Sequence, residues 1–122
     1  MGKFTGTMHE YSLARALLRQ VEEVVRREGA AAATSVAVTI GEFSGVEPDL
    51  LQMAFADVAG QSLLVTGELL IEKVALEARC ESCSHEFAVE RFRFVCPRCE
   101  SGSVKVLRGE EMMLERVVLE AK

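Results

Sequence analysis

Apolar residues recur at three- and four-residue spacing from Tyr11 to Glu28. Leu13, Leu17, Val21, Val24 and Val25 fall on one face, with Arg15, Arg19, Glu22, Glu23, Arg26 and Arg27 on the other. This period predicts an amphipathic helix, supported by i,i+4 pairs of Glu22 with Arg26 and Glu23 with Arg27 and closed by Gly29. The pattern then changes to alternation, and Val36, Val38 and Ile40 with Ala37 and Thr39 between them predict a strand. After a glycine-punctuated connection from Gly41 to Val46, Pro48 and Asp49 mark the start of a second helix. Leu51, Ala54, Phe55 and Val58 are its expected buried stripe, and Gly60 ends it.

Gly67 precedes an expected strand over residues 68–79, with Leu70, Val74, Leu76 and Ala78 on one face, that runs directly into Cys80. Beyond Gly102, residues 104–107 predict a short strand, Arg108-Gly109-Glu110 a hairpin turn, and residues 112–119 a last strand returning to the first sheet. The expected class is α+β, with two helices packed on a small β-sheet and an inserted four-cysteine module. The expected division is residues 1–78, completed by a return segment 104–122, and a metal module at 79–103.

A chain of 122 residues suits one ordinary domain, or a small core plus a metal-stapled module, and 49% hydrophobic residues suffice for that core. The net charge of -5 argues against a general nucleic-acid binder. Residues 1–7 lack the apolar run of a signal peptide, and no stretch approaches the ~18 to 20 apolar residues of a membrane helix. A soluble, cytoplasmic protein is therefore expected.

All four cysteines stand in two Cys-x-x-Cys pairs, Cys80 with Cys83 and Cys96 with Cys99, with twelve residues between the pairs. A tetrahedral ion needs four thiolates about 2.3 Å away, and each two-residue spacer lets one tight turn present two sulfurs to the same point. The reading is a closed structural zinc site, although four thiolates also suit tetrahedral iron. Two disulfides would need an exported chain. A redox Cys-x-x-Cys would need to open a helix after a strand, unlike two pairs flanking a loop bearing Phe and Arg. His85, two residues past Cys83, is read as a bystander to a site that four cysteines complete. Met112 and Met113 are read as packing residues.

His9 stands in Met8-His9-Glu10, just before the first expected helix. A single histidine there is more often solvated or capping than a ligand, and Glu10 most simply favours the helix dipole. If Met8 were the first residue, its amine, the next amide and the His9 imidazole could close fused chelate rings in one plane. Such nitrogen sets suit Ni(II) or Cu(II).

Three segments taken together strongly resemble one family. They are Met8-His9-Glu10-Tyr11-Ser12-Leu13, the stretch from Ile40 to Pro48, and Cys80-x2-Cys83-x12-Cys96-x2-Cys99. The chain from Met8 onward is similar to the hydrogenase nickel-incorporation proteins, the HypA/HybF family. The resemblance implies a nickel metallochaperone for [NiFe] hydrogenase, some members also serving urease, with transient Ni(II) and structural Zn(II). It implies nickel binding at Met8, His9 and Glu10, with a further carboxylate carried onto Glu47, and zinc ligation by Cys80, Cys83, Cys96 and Cys99. The implied partners are the pathway's nickel-binding GTPase, the hydrogenase large subunit and urease accessory proteins. Exchange of the strands flanking the ribbon between two copies would give a homodimer. In the family Met-His-Glu is the amino terminus, whereas seven residues precede it here; if they belong to the mature chain, they replace a donor amine with an amide.

Two other classes compete. A nucleic-acid-binding or protein-binding zinc ribbon is prompted by Arg91-Phe92-Arg93-Phe94, since alternating Arg and Phe can hold phosphates and stack bases. Against it, Arg91, Arg93 and Arg98 face Glu81, Glu86, Glu90 and Glu100 within the module, and four thiolates add negative charge. The phenylalanines are therefore expected to form the module's small core. An enzyme would need a nucleophile-His-acid set, a phosphate loop or an open metal site, and the sequence displays none of these.

Overall fold

Helix α1 spans Thr7–Arg27 in the computed structural model, which describes residues 7–122, with side chains from His9 onward. The heptapeptide's first six residues and the Met8 side chain lie outside the described residues. The helix starts earlier than the apolar period alone implied. His9 and Glu10 belong to its opening turns, where an acidic residue complements the positive end of the helix dipole. Leu13, Leu17, Val21 and Val25 are buried as expected, while Val24 is only partly so. Glu22 accepts a hydrogen bond from the Ser62 hydroxyl at 2.8 Å, tying α1 to the loop after the second helix.

Strand β1 (Ala32–Gly41) is followed by α2 (Pro48–Ala59), with Pro at its start and Gly60 as its cap. Leu51, Ala54, Phe55 and Ala59 are buried there. The single strand expected over 68–79 is two strands, β2 (Val65–Val74) and β3 (Glu77–Cys80), which belong to different sheets. The face assigned to β2 is also corrected. Leu69 is buried and Leu70 exposed, because Leu69-Leu70-Ile71 is apolar at three successive positions and alternation cannot choose between them. A short strand, β4 (Glu86–Ala88), was not foreseen. Strand β5 (Val104–Arg108) pairs with β3, so only β6 (Met112–Glu120) returns to the first sheet.

The result is two three-stranded sheets, ordered β2-β1-β6 and β4-β3-β5. In the first, β1 is central, parallel to β2 and antiparallel to β6. Both helices contribute to the main core with the inner faces of these strands. Leu76, Ala78 and Val89 form the second core, with Phe43, Phe87, Phe94, Val104 and Val106 packed against it. No helix among the described residues is long and apolar enough to cross a membrane.

The two sheets meet at a pair of glycines. A Cβ on Gly41 would lie 2.3 Å from the Gly109 carbonyl, and Gly109 itself has φ +104° and packs on the Leu76 backbone. Only residues without a side chain permit this approach. Across it, the Gly41 N–H donates to the Glu111 carbonyl at 3.0 Å and the Phe43 N–H to the Gly109 carbonyl at 2.7 Å. Phe43 thus leaves the first sheet's loop and sets its ring 5.4 Å from Phe92 and 5.9 Å from Phe94, centre to centre.

Candidate metal centre

Each cysteine pair sits on a tight turn, and the two turns are built alike. The Ser84 N–H donates to the Cys80 carbonyl and the Glu100 N–H to the Cys96 carbonyl, both at 2.9 Å. Cys80 and Cys96 then donate their own N–H groups to the His85 and Ser101 carbonyls, at 2.8 and 2.9 Å. Ser84 and Glu100, the residues just past each pair, hold φ of +66° and +63°, which turns the chain back over the sulfurs. Strand β3 delivers Cys80 directly into the first turn, as its sequence position implied.

The turns face one another. All four Sγ atoms lie within 4.8 Å of each other, with Cys80 3.5 Å from Cys99 and Cys83 3.7 Å from Cys96. A tetrahedron with metal–sulfur bonds of about 2.3 Å has edges of about 3.8 Å. The sulfurs are therefore spaced for one ion and are too far apart for disulfide bonds. Cys80 and Cys96 are buried and Cys83 and Cys99 exposed, so the cage sits at the surface of the module.

Backbone donors aim at the sulfurs. Cys80 Sγ accepts from the N–H groups of Ser82 at 3.3 Å and Cys83 at 3.4 Å, and Cys96 Sγ from Arg98 at 3.4 Å. The Cys83 N–H, with that of Ser82 and the nearby thiols, brings the Cys80 thiol down to about 6 against the opposing effect of burial. Burial resists ionisation at Cys96 too, but the N–H groups of Cys99 and Arg98 outweigh it and lower that thiol. Cys99 goes the other way. The Ser101 N–H lowers it, yet the thiols of Cys80, Cys83 and Cys96, together with burial, push it up to about 12. Crowded sulfurs cannot all ionise without a cation between them, whereas a bound metal takes all four as thiolates.

The four cysteines are the only group of three or more His, Cys, Asp or Glu clustered for a metal among the described residues. His85 stays outside the cage and stacks on Phe87 with ring centres 6.0 Å apart. Phe94 and Phe87 join the module's core as expected. Phe92 is 52% exposed and only leans on Phe43, and Arg91 and Arg93 are solvated.

The second set of candidate residues is arranged more loosely. His9 is nearly buried and lines a cleft of about 320 Å³ with Ser44, Val46, Glu110, Glu111 and Met112. Glu10 is buried. One of its oxygens accepts the Glu47 N–H at 3.2 Å, and the other has no hydrogen-bond partner among the described residues. Glu47 caps α2, its carboxylate accepting the Asp49 N–H at 3.4 Å. Glu10 and Glu47 thus meet through carboxylate and backbone, and their carboxylates form no cluster with His9. Glu110 and Glu111 were missed because only the return of β6 beside β1 brings them to His9. Their one local signal is the glycine turn that precedes them.

A family model described as hydrogenase/urease nickel incorporation, metallochaperone, hypA, matches residues 8–119. The hydrogenase maturation factor HypA of Aquifex aeolicus is 36% identical over 113 residues, 93% of this chain and 98% of that protein. The factor of the same name from Nitrosospira multiformis is 38% identical over 112 residues, covering 92% and 97%. A solution structure of the Ni metallochaperone HypA from Helicobacter pylori superposes with a TM-score of 0.66 at 31% identity, covering 93% of this chain and 98% of that one.

Proposed function

Because the chain belongs to the HypA family of hydrogenase/urease nickel-incorporation metallochaperones, we propose that it carries Ni(II) to a maturing enzyme and holds a separate structural zinc ion. Proteins of this family are maturation factors, not enzymes. The labour divides between the two sheets. The unit built on β2-β1-β6 handles nickel, and the unit built on β4-β3-β5 holds zinc in Cys80, Cys83, Cys96 and Cys99.

The observation that carries this reading is the contrast between a completed four-sulfur cage and a half-open cleft with a single imidazole. Four protein thiolates leave no position for exchange, so the cage suits an ion that stays. At the cleft, His9 offers the borderline nitrogen that Ni(II) favours, and few strong ligands surround it, which suits an ion that must leave. Met8 and Glu10 supply neighbouring backbone donors. Glu10 also holds the Glu47 end of the loop against α1, while the Glu47 carboxylate caps α2 outside the cleft and is at most a secondary donor. The donor chemistry of the cage fits zinc, which needs no redox function there.

Nickel is accordingly passed on in this reading, to the [NiFe] hydrogenase large subunit with the pathway's nickel-binding GTPase, and to urease accessory proteins where they occur. Reduced cysteines poised as metal ligands fit a cytoplasmic setting. The test is complementation of a bacterium whose own HypA-type gene is deleted. Expression of this chain is expected to restore hydrogenase activity without excess nickel in the medium. A folded, zinc-loaded chain that restores nothing would count against the reading.

A further inference from the structure

Family resemblance carries a nickel-site carboxylate onto Glu47, yet that side chain caps α2 through the Asp49 N–H and does not line the His9 cleft. Glu10 is buried, holds the Glu47 N–H, and does not line the cleft either. The carboxylates that do line it are Glu110 and Glu111, which lead from β5 into β6. Both are exposed, and among the described residues neither side chain forms a hydrogen bond or an ion pair. Arg108, the cation nearest them in sequence, is paired with Glu77.

Backbone pairing tells the two glutamates apart. The Gly41 N–H donates to the Glu111 carbonyl and the Phe43 N–H to the Gly109 carbonyl, so pairing continues from β6 back to Gly109. Side chains alternate between faces along such a segment. Met112 is in register with buried Ile40 and packs against the main core, on the face that the helices cover. Glu110, two residues earlier, shares that face and stands on the side of α1 and His9. Glu111 shares the opposite face with Met113, which is 49% exposed. Gly109, pressed against Gly41 and Leu76 more closely than a side chain would allow, fixes where Glu110 begins.

We infer that Glu110 supplies the side-chain oxygen that joins the His9 imidazole on nickel, a role that rests on the function proposed above. An imidazole is a neutral donor and leaves both charges of Ni(II) uncompensated, in a cleft that no Lys or Arg lines among the described residues. One carboxylate removes half of that charge. Its place at the exposed rim also suits cargo. There the carboxylate keeps part of its hydration when it turns toward the ion. It is the donor that a receiving protein's ligand replaces first, while the nearly buried His9 still holds the metal. Two side chains rather than three hold the ion, which keeps this site weaker than the sulfur cage.

Calorimetric titration of nickel into the zinc-loaded chain, with E110Q, E111Q, E47Q and H9A beside it, tests this. E110Q is expected to weaken nickel binding roughly tenfold, and E111Q and E47Q about threefold at most. In about 1 M salt, where charges more than about 3 Å apart are screened, the E110Q deficit is expected to persist, because a coordinating oxygen touches the ion. All three glutamates are exposed, and unchanged circular dichroism and zinc content separate lost coordination from lost folding. An E110Q chain that binds nickel as tightly as the native one overturns the inference. So does a deficit that disappears in salt, or one that falls on E111Q or E47Q instead. In each of those cases loss of nickel from H9A leaves the proposed function standing. A native chain that binds no nickel, or an H9A chain that keeps it, removes the function and the inference together.

Discussion

His9 and Glu10 are adjacent in sequence, yet their surroundings assign them different work. The Glu10 carboxylate turns into the core and holds the Glu47 N–H, while the His9 ring lines the cleft beside Glu110 and Glu111. The imidazole is the one strong side-chain nitrogen in this unit, so His9→Ala is expected to abolish tight nickel binding and leave zinc and circular dichroism unchanged. Glu47→Gln should cost less than tenfold in nickel affinity, because a carboxylate is a secondary donor in a nitrogen-rich site. Calorimetric titration of both variants checks this, and stoichiometric nickel retained by the His9 variant contradicts it. The motif around His9 was visible in the sequence because its residues are contiguous. Glu110 and Glu111 were not, since their place beside His9 depends on a tertiary return about a hundred residues later.

At the scale of elements, the metal module was the most legible part, since its ligands come in local pairs whose spacing encodes the turns. The boundary between β2 and β3 was hidden. Nothing in Leu69-Leu70-Ile71 chooses a face, and the change of sheet near Ala75 depends on the glycine contact between Gly41 and Gly109. Strand β4 has only three residues, too few for any alternation to register. The module's own apolar core is small, with Leu76, Ala78 and Val89 buried, so the metal must supply much of its stability. Structural zinc contributes about 10 kcal/mol or more of binding free energy in such modules, and that is folding free energy. Cys96→Ala is therefore expected to release zinc and unfold residues 75–109 while the β2-β1-β6 unit persists. Limited proteolysis reads this directly as new cleavage around Arg91 to Arg98. Zinc content and protease resistance equal to the native chain would contradict it.

In the whole molecule, a closed sulfur cage and an open histidine cleft share one chain, joined through the glycine contact and the Phe43 ring. Their separate chemistry implies separate lifetimes for their metals. In the proposed function, four thiolates on two matched turns hold an ion that a mild chelator does not remove, and the His9 cleft holds one that it does. Elemental analysis of the purified chain, after nickel loading and again after brief treatment with a mild chelator, tests this most directly. About one zinc and one nickel per chain are expected before treatment, and zinc alone after it. Nickel that displaces zinc from the cysteines, or no nickel retained at all while the cage is full, would contradict it.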